Sequence, residues 1–229
     1  MKYIFVSDTV TAEEREMLSA MGDVVVLPRL LSLPAPISSH PDTLFAHIGG
    51  RLFTFADYTA GAEMMKSRNI NVQTVSSPAG DAYPLDAALN CFEAGGVTFG
   101  REKSLAKEII SASAEIEDVR QGYAHCASAV FPCGIISSDD GIIKAASRRG
   151  VNTLKIAAGN ISLEGYGCGF IGGACAYIGG KAVFFGDLKT HPSGDKIKEF
   201  LFLGGIDAVS LSGGVLRDCG SALVIGDEP

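Results

Sequence analysis

The chain has 229 residues, 47% of them apolar and 20% charged, with a formal net charge of −7; this can bury a sizeable core and excludes a disordered polypeptide. No apolar stretch reaches bilayer length, and MKYIFVSDTV lacks the apolar run of a secretory signal. The acidity disfavours a general nucleic-acid binder, whose phosphate contacts need a basic face.

The predicted elements follow in chain order. KYIFVSD reads as a strand. Thr11-Ala12-Glu13-Glu14 is a capping box opening an amphipathic helix with Met17, Leu18 and Met21 as apolar residues, closed by Gly22. DVVVLP is the next strand, and residues 28–41, rich in proline and serine, read as a loop. DTLFAHIGGRLFTF is a hairpin turned at Gly49-Gly50, followed by a helix (ADYTAGAEMMKSRN) and a strand (INVQTV). The same order recurs in ALNCFEAGGVTFG, REKSLAKEIISAS and AEIEDV. It recurs in SAVFPCGIISS, DDGIIKAASRRG (capped by Ser138 or Asp139) and VNTLKIA. After a glycine-rich stretch, 157–173, it returns in CAYIGGKAVFFG, SGDKIKEFLFLGG (capped by Ser193) and IDAVSLS. In that last helix Ile197, Phe200 and Leu201 face inward.

A unit of strand, turn, strand, helix and strand thus recurs about five times, at a period of roughly 45 residues. The first unit is split: its helix and closing strand are N-terminal, and its missing hairpin strand comes from CGSALVI at the C-terminus. Joining the chain ends in this way implies a ring with a centre where chemistry can sit. No charge run marks a boundary, so a single domain over residues 1–229 is expected. The long loops, 28–41 and 157–173, are candidates for lids or binding loops.

This pattern resembles the pentein fold, the five-bladed α/β propeller with pseudo-fivefold symmetry of the guanidino-group-modifying enzymes. Those include arginine deiminase, dimethylarginine dimethylaminohydrolase, agmatine deiminase and glycine amidinotransferase. SLSGGVLRDCGSALVI places Gly213-Gly214 before Cys219 and an apolar strand after it, similar to the family's C-terminal nucleophile segment. His125, in GYAHCASAVF, opens the fourth unit as the family's histidine does. Asp42 and Asp86 open the second and third units, where the family places carboxylates; Asp81 and Asn90 are alternatives to Asp86. The repeat register agrees: His40, Asp86 and His125 lie nine residues before a turn glycine, and Asp42 and Cys219 lie seven before one.

The resemblance implies a cysteine-dependent hydrolase or amidinotransferase acting on a small guanidino or amidino compound through a covalent thiouronium intermediate. Cys219 would attack, His125 would protonate the leaving amine and activate water, and Asp86 would assist. Asp42 and His40 would bind the planar cation. Arg51, Arg101, Arg120 and Arg217 are candidates for a substrate carboxylate. Ala127 stands where several family members carry an aspartate, and Cys126 is a second thiol beside His125. The alternative is a non-catalytic pentein that binds a small molecule, a ribosome or another protein. The expected partner is a small cationic guanidino-type molecule, with no nucleic acid, no membrane and a homodimer open as the assembly. No metal or organic cofactor is required, and the expected location is the cytoplasm. The six cysteines (Cys91, Cys126, Cys133, Cys168, Cys175 and Cys219) form no Cys-x-x-Cys pair and are expected to be reduced.

Overall fold

A computed structural model describes residues 2–226. The first unit holds β1 (Tyr3–Val6), α1 (Ala12–Ser19) and β2 (Asp23–Val26). The second holds α2 (Pro41–Leu44), β3 (Phe45–Ile48), β4 (Arg51–Phe55), α3 (Thr59–Lys66) and β5 (Val72–Val75). The third holds β6 (Phe92–Ala94), β7 (Val97–Gly100), α4 (Lys107–Ala112) and β8 (Ile116–Asp118). The fourth holds β9 (Ser128–Phe131), β10 (Gly134–Ser137), α5 (Asp140–Arg148) and β11 (Thr153–Lys155). After β12 (Ile161–Ser162) come β13 (Cys175–Ile178), β14 (Lys181–Phe184), α6 (Gly194–Leu203) and β15 (Asp207–Ser210). The chain then forms β16 (Leu216–Arg217) and β17 (Ala222–Ile225).

The units build five three-stranded sheets of one plan. An antiparallel hairpin is joined through a helix to a third strand lying parallel to the hairpin's second strand. In the second unit Phe45 pairs with Thr54 and Leu52 with Val72. The Gly-Gly pairs are required by the turns: Gly49 and Gly50 have φ of 58° and 68°, and the pairs at 95–96 and 179–180 repeat this. Two successive left-handed residues match the twist of a tight hairpin, and only glycine adopts them freely. β17 closes the first sheet by pairing antiparallel with β1, Tyr3 opposite Ile225 and Val6 opposite Ala222. The chain ends are thereby joined in one sheet, as the split first repeat predicts.

The first strands of the sheets adjoin one another, β3 with β6, β9 with β13 and β13 with β17. Helices pack against the sheets, α5 on β10 and β11 and α6 on β15, and apolar clusters fill the space between. In the second unit Phe53, Phe55, Tyr58 and Met65 are buried together; in the fifth, Phe184, Ile197 and Leu201. Each such side chain contributes about 1.5–3 kcal/mol when withdrawn from water.

Several local expectations are refined. Thr11 and Glu14 form the reciprocal capping box. Leu18 is fully buried, whereas Met17 is half exposed. Asp139, not Ser138, caps α5, accepting the Ile142 N–H at 2.9 Å. Ser193 stands at the start of α6 but accepts instead from the Ala157 N–H, tying the helix to the neighbouring loop. α4 begins only at Lys107, because 101–105 curl into turns. The stretch 28–41 is no exposed loop: Leu30, Leu33, Ile37 and His40 are buried in it. The short parallel pair β12–β16, which no repeat anticipates, links the glycine-rich stretch to the segment before Cys219. Among the described residues no helix is long and apolar enough to cross a membrane.

Candidate functional site

Segments leading into the first strands meet in a polar centre. Pro41 starts α2, and this single helical turn places Asp42 inward, where it is 1% exposed. Its N–H donates to Gly220 O at 3.0 Å. Gly220 has φ of 73° and lies so close to His40 that any side chain would collide with the imidazole. Gly220 N–H in turn donates to Asp218 Oδ1 at 3.1 Å, and Phe170 N–H to Oδ2 at 2.9 Å. Asp218 is buried, and His40 Nδ1 lies 3.7 Å from it.

Asn90 ties three units together. Its amide donates to Asp42 O at 3.2 Å and to Cys126 Sγ at 2.9 Å. Its oxygen accepts the N–H groups of His125 (2.8 Å) and Cys126 (3.2 Å). The glycine-rich stretch closes over this centre. Gly172 N–H donates to Cys126 O at 2.8 Å, and Gly173 O accepts from the Cys219 and Ser221 N–H groups, each at 2.9 Å. A methyl group at Gly173 would fall on the Asp218 carboxylate, so only glycine fits there.

The electrostatics are those of an unneutralised acid pair. Burial, then repulsion from Asp218, pushes the Asp42 carboxyl well above the usual carboxylate range. Burial also raises Asp218, against the two N–H donors that favour its charged form. Asp42 Oδ2 and His40 Nε2 are buried without a hydrogen-bond partner among the described residues. Burial lowers His40 to about 4, so the imidazole is neutral near pH 7 and leaves Asp218 uncompensated. Cys126 is raised well above a free thiol by burial and by both carboxylates. Asp218 and His40 open onto a cavity of about 580 Å³ whose wall also carries Thr9, Arg29, Glu164 and Arg217.

The sequence-predicted residues divide. Asp42 and His40 reach this centre. Asp86 does not join them: it accepts the Tyr123 hydroxyl at 2.7 Å, and Asn90 occupies the place beside Asp42 instead. The His125 backbone touches Asn90, but the residue lines a different cavity of about 220 Å³ with Ser128, Cys175 and Ser221. Burial lowers that imidazole to about 4, and no charged group contributes to its shift. Cys219 lies in an apolar cluster with Ile4, Val6, Phe185 and Leu211. Burial pushes its thiol up to about 12, with Arg217 and Thr9 opposing. The reason is local. The Gly220 and Phe170 N–H groups hold Asp218 at the centre, whereas Cys219, one residue on, packs against Ile4, Val6, Phe185 and Leu211 with Thr9 and Arg217 nearby. Asp42 projects from a helical turn, so equal spacing before a glycine does not mean equal direction. Asp218, which the sequence did not single out, also reaches this centre; its only signal was adjacency to Cys219. Cys126, singled out only as a second thiol, is the cysteine of the centre. Of the candidate arginines, Arg217 alone lines the 580 Å³ cavity. Arg51 lies over the Phe53 ring, Arg101 pairs with Asp118 and Arg120 is exposed. Among the described residues no cluster of three or more His, Cys, Asp or Glu side chains is arranged to hold a metal.

Comparison with known proteins supplies the family. A model of a family of unknown function, DUF6873, matches residues 5–223. The chain belongs to DUF6873. No curated protein matches the sequence. Solved structures do resemble its fold. Agmatine deiminase of C. jejuni aligns with a TM-score of 0.59 at 10% identity, covering 97% of this chain and 92% of that one. Dimethylarginine dimethylaminohydrolase from Pseudomonas aeruginosa, complexed with citrulline, aligns at 0.57 and 8% identity, covering 92% and 91%. A dimethylarginine dimethylaminohydrolase adduct with S-methyl-L-thiocitrulline aligns at 0.57 and 9%, covering 92% of each. At such identities the likeness establishes the mixed α/β architecture of small sheets shared with these proteins, which are penteins.

Proposed function

We propose that the five sheets close as a pentein ring and that its hub binds the guanidinium or amidinium end of a small cation. Asp42 and Asp218 are the acceptors and Asn90 the orienting amide. One observation carries this reading: two buried carboxylates lie together with no cation beside them among the described residues, and one opens onto a cavity. A planar cation with several N–H donors would neutralise both and satisfy the orphaned Asp42 oxygen. The fold's likeness to agmatine deiminase and dimethylarginine dimethylaminohydrolase supports the same ligand class.

A second reading adds covalent chemistry, and the position of Cys126 favours that thiol over Cys219. Burial first, and then the field of Asp42 and Asp218, keeps Cys126 protonated; a bound cation would cancel that field and lower the thiol toward activation. The Sγ–carbon bond would form, the carbon–nitrogen bond would break, and the thiol proton would leave with the amine by way of Asp42. Water would then cleave the sulfur–carbon bond and restore the thiol. The experiment is peptide mapping after treatment with chloroacetamidine, with and without millimolar methylguanidine. Modification of Cys126 that methylguanidine suppresses supports both readings. Labelling confined to Cys219 returns the chemistry to the expected nucleophile. Absence of both labelling and calorimetric binding of methylguanidine removes the cation site.

A further inference from the structure

The hub reading leaves the rest of the ligand unassigned, and the charges along the cavity bear on it. Two arginines stand on the wall, and each is already engaged by its own carboxylate. Arg217 Nη2 donates to Glu14, and Nη1 donates to Thr9 O at 3.1 Å. Glu14 is completely buried and is held further by the Thr11 N–H, the Thr11 hydroxyl and the Ser212 hydroxyl, each at 3.0 Å. Burial alone would raise this carboxyl, but Arg217 and Thr11 outweigh it and keep it anionic. Arg29 Nε donates to Asp8 at 2.6 Å, and Asp8 also accepts the Ser39 hydroxyl at 2.6 Å. The cavity's other two charged groups are carboxylates. Asp218 faces a neutral imidazole. Glu164, exposed on the rim, contacts no cation within ion-pair distance among the described residues and feels Arg29 only at longer range.

We infer that the ligand's far end carries a second positive charge, as in an aminoalkyl-guanidine or aminoalkyl-amidine, and that a guanidino amino acid is disfavoured; this rests on the hub reading above. With the guanidinium seated on Asp218, a carboxylate at the far end would meet the uncompensated Glu164. To gain Arg217 it would have to displace Glu14, leaving a buried anion unpaired, which is among the costliest changes a protein interior undergoes, and Arg29 is already paired with Asp8. An ammonium would meet Glu164 and disturb neither pair. Glu14 is then the positioning residue for specificity: it touches no ligand but withholds Arg217.

The test is titration calorimetry of the full-length chain with methylguanidine, agmatine and arginine. Agmatine is expected to bind about tenfold tighter than arginine, equivalent to about 1.4 kcal/mol. Glu164→Gln is expected to weaken agmatine about threefold and leave methylguanidine unchanged. Glu14→Gln is expected to improve arginine about fivefold; since it removes a buried partner, Glu164→Gln, a surface change, keeps the test independent of folding. If methylguanidine binds but arginine equals or exceeds agmatine, the inference is overturned while the hub reading stands. An agmatine-to-arginine ratio unmoved by Glu164→Gln also overturns it. If none of the three binds, the hub reading itself falls.

Discussion

At the scale of single residues, Asp42 and Asp218 are buried acids whose carboxyls are raised above the usual range. A carboxyl that holds its proton more tightly when folded than when unfolded stabilises the fold at low pH. That contribution is lost as pH rises above the usual carboxylate range. Both acids act in this direction. His40 and His125 act in the opposite one: each is lowered from 6.5 to about 4, so their contribution is full above pH 6.5 and lost as pH falls toward 4. Asp42→Asn removes the buried charge and keeps the shape. It is expected to stabilise the chain by about 1–3 kcal/mol at pH 8, with the gain shrinking toward pH 4. Urea unfolding across that range measures this; equal or lower stability at pH 8 would mean that Asp42 is compensated after all. The same substitution is expected to abolish methylguanidine binding, the familiar opposition of stability and function at a site.

At the scale of elements, α1 joins local and distant structure. Glu14 completes the capping box with Thr11 and also anchors Arg217, some 200 residues away in sequence. Thr11→Ala deletes one cap and loosens that carboxylate. It is expected to cost about 1–2 kcal/mol, the upper part of the range for capping residues. A loss below a few tenths of a kcal/mol in chemical denaturation would show that Glu14 needs no help from the cap. α1 and the glycine-turned hairpins were legible in the sequence because capping and left-handed turns are decided within a few residues. The shortening of α4 was not: 101–105 carry ordinary helix formers, but the Asp118 carboxylate accepts the Glu102 N–H and the Arg101 side chain, drawing that segment into a turn.

At the scale of the whole molecule, the pairing of β17 with β1 matters most. It completes the first sheet, covers Ile4 and Val6, and brings Asp218 and Gly220 to the polar centre beside Asp42. A chain ending at Gly220 loses this strand and leaves the β1 edge unpaired, with apolar surface exposed beside it. Such a truncation is expected to abolish cooperative unfolding and give a dye-binding, aggregating product. A sharp two-state transition near that of the parent would show that the first sheet stands without its C-terminal strand. The repeat made this closure readable, because a unit missing one strand can be completed only by the other chain end.

The polar centre was readable only in part. Asp42 and His40, which open a repeat unit, were singled out in the sequence and lie at this centre, and Asn90 was an open alternative to Asp86. Asp218, Cys126 and the placement of Cys219 were not resolved, since repeat register locates a residue along the axis but does not say which way its side chain turns. In an extended segment that choice alternates at every residue, and in the single turn of α2 it follows a different angle. Hydrophobic pattern, turn glycines and the interrupted first unit, all short-range properties, determined by themselves the number and order of the sheets. Which acids share the centre, which thiol joins them and which arginine is held back were decided by segments far apart in sequence packing against one another, a contact no single stretch of chain encodes.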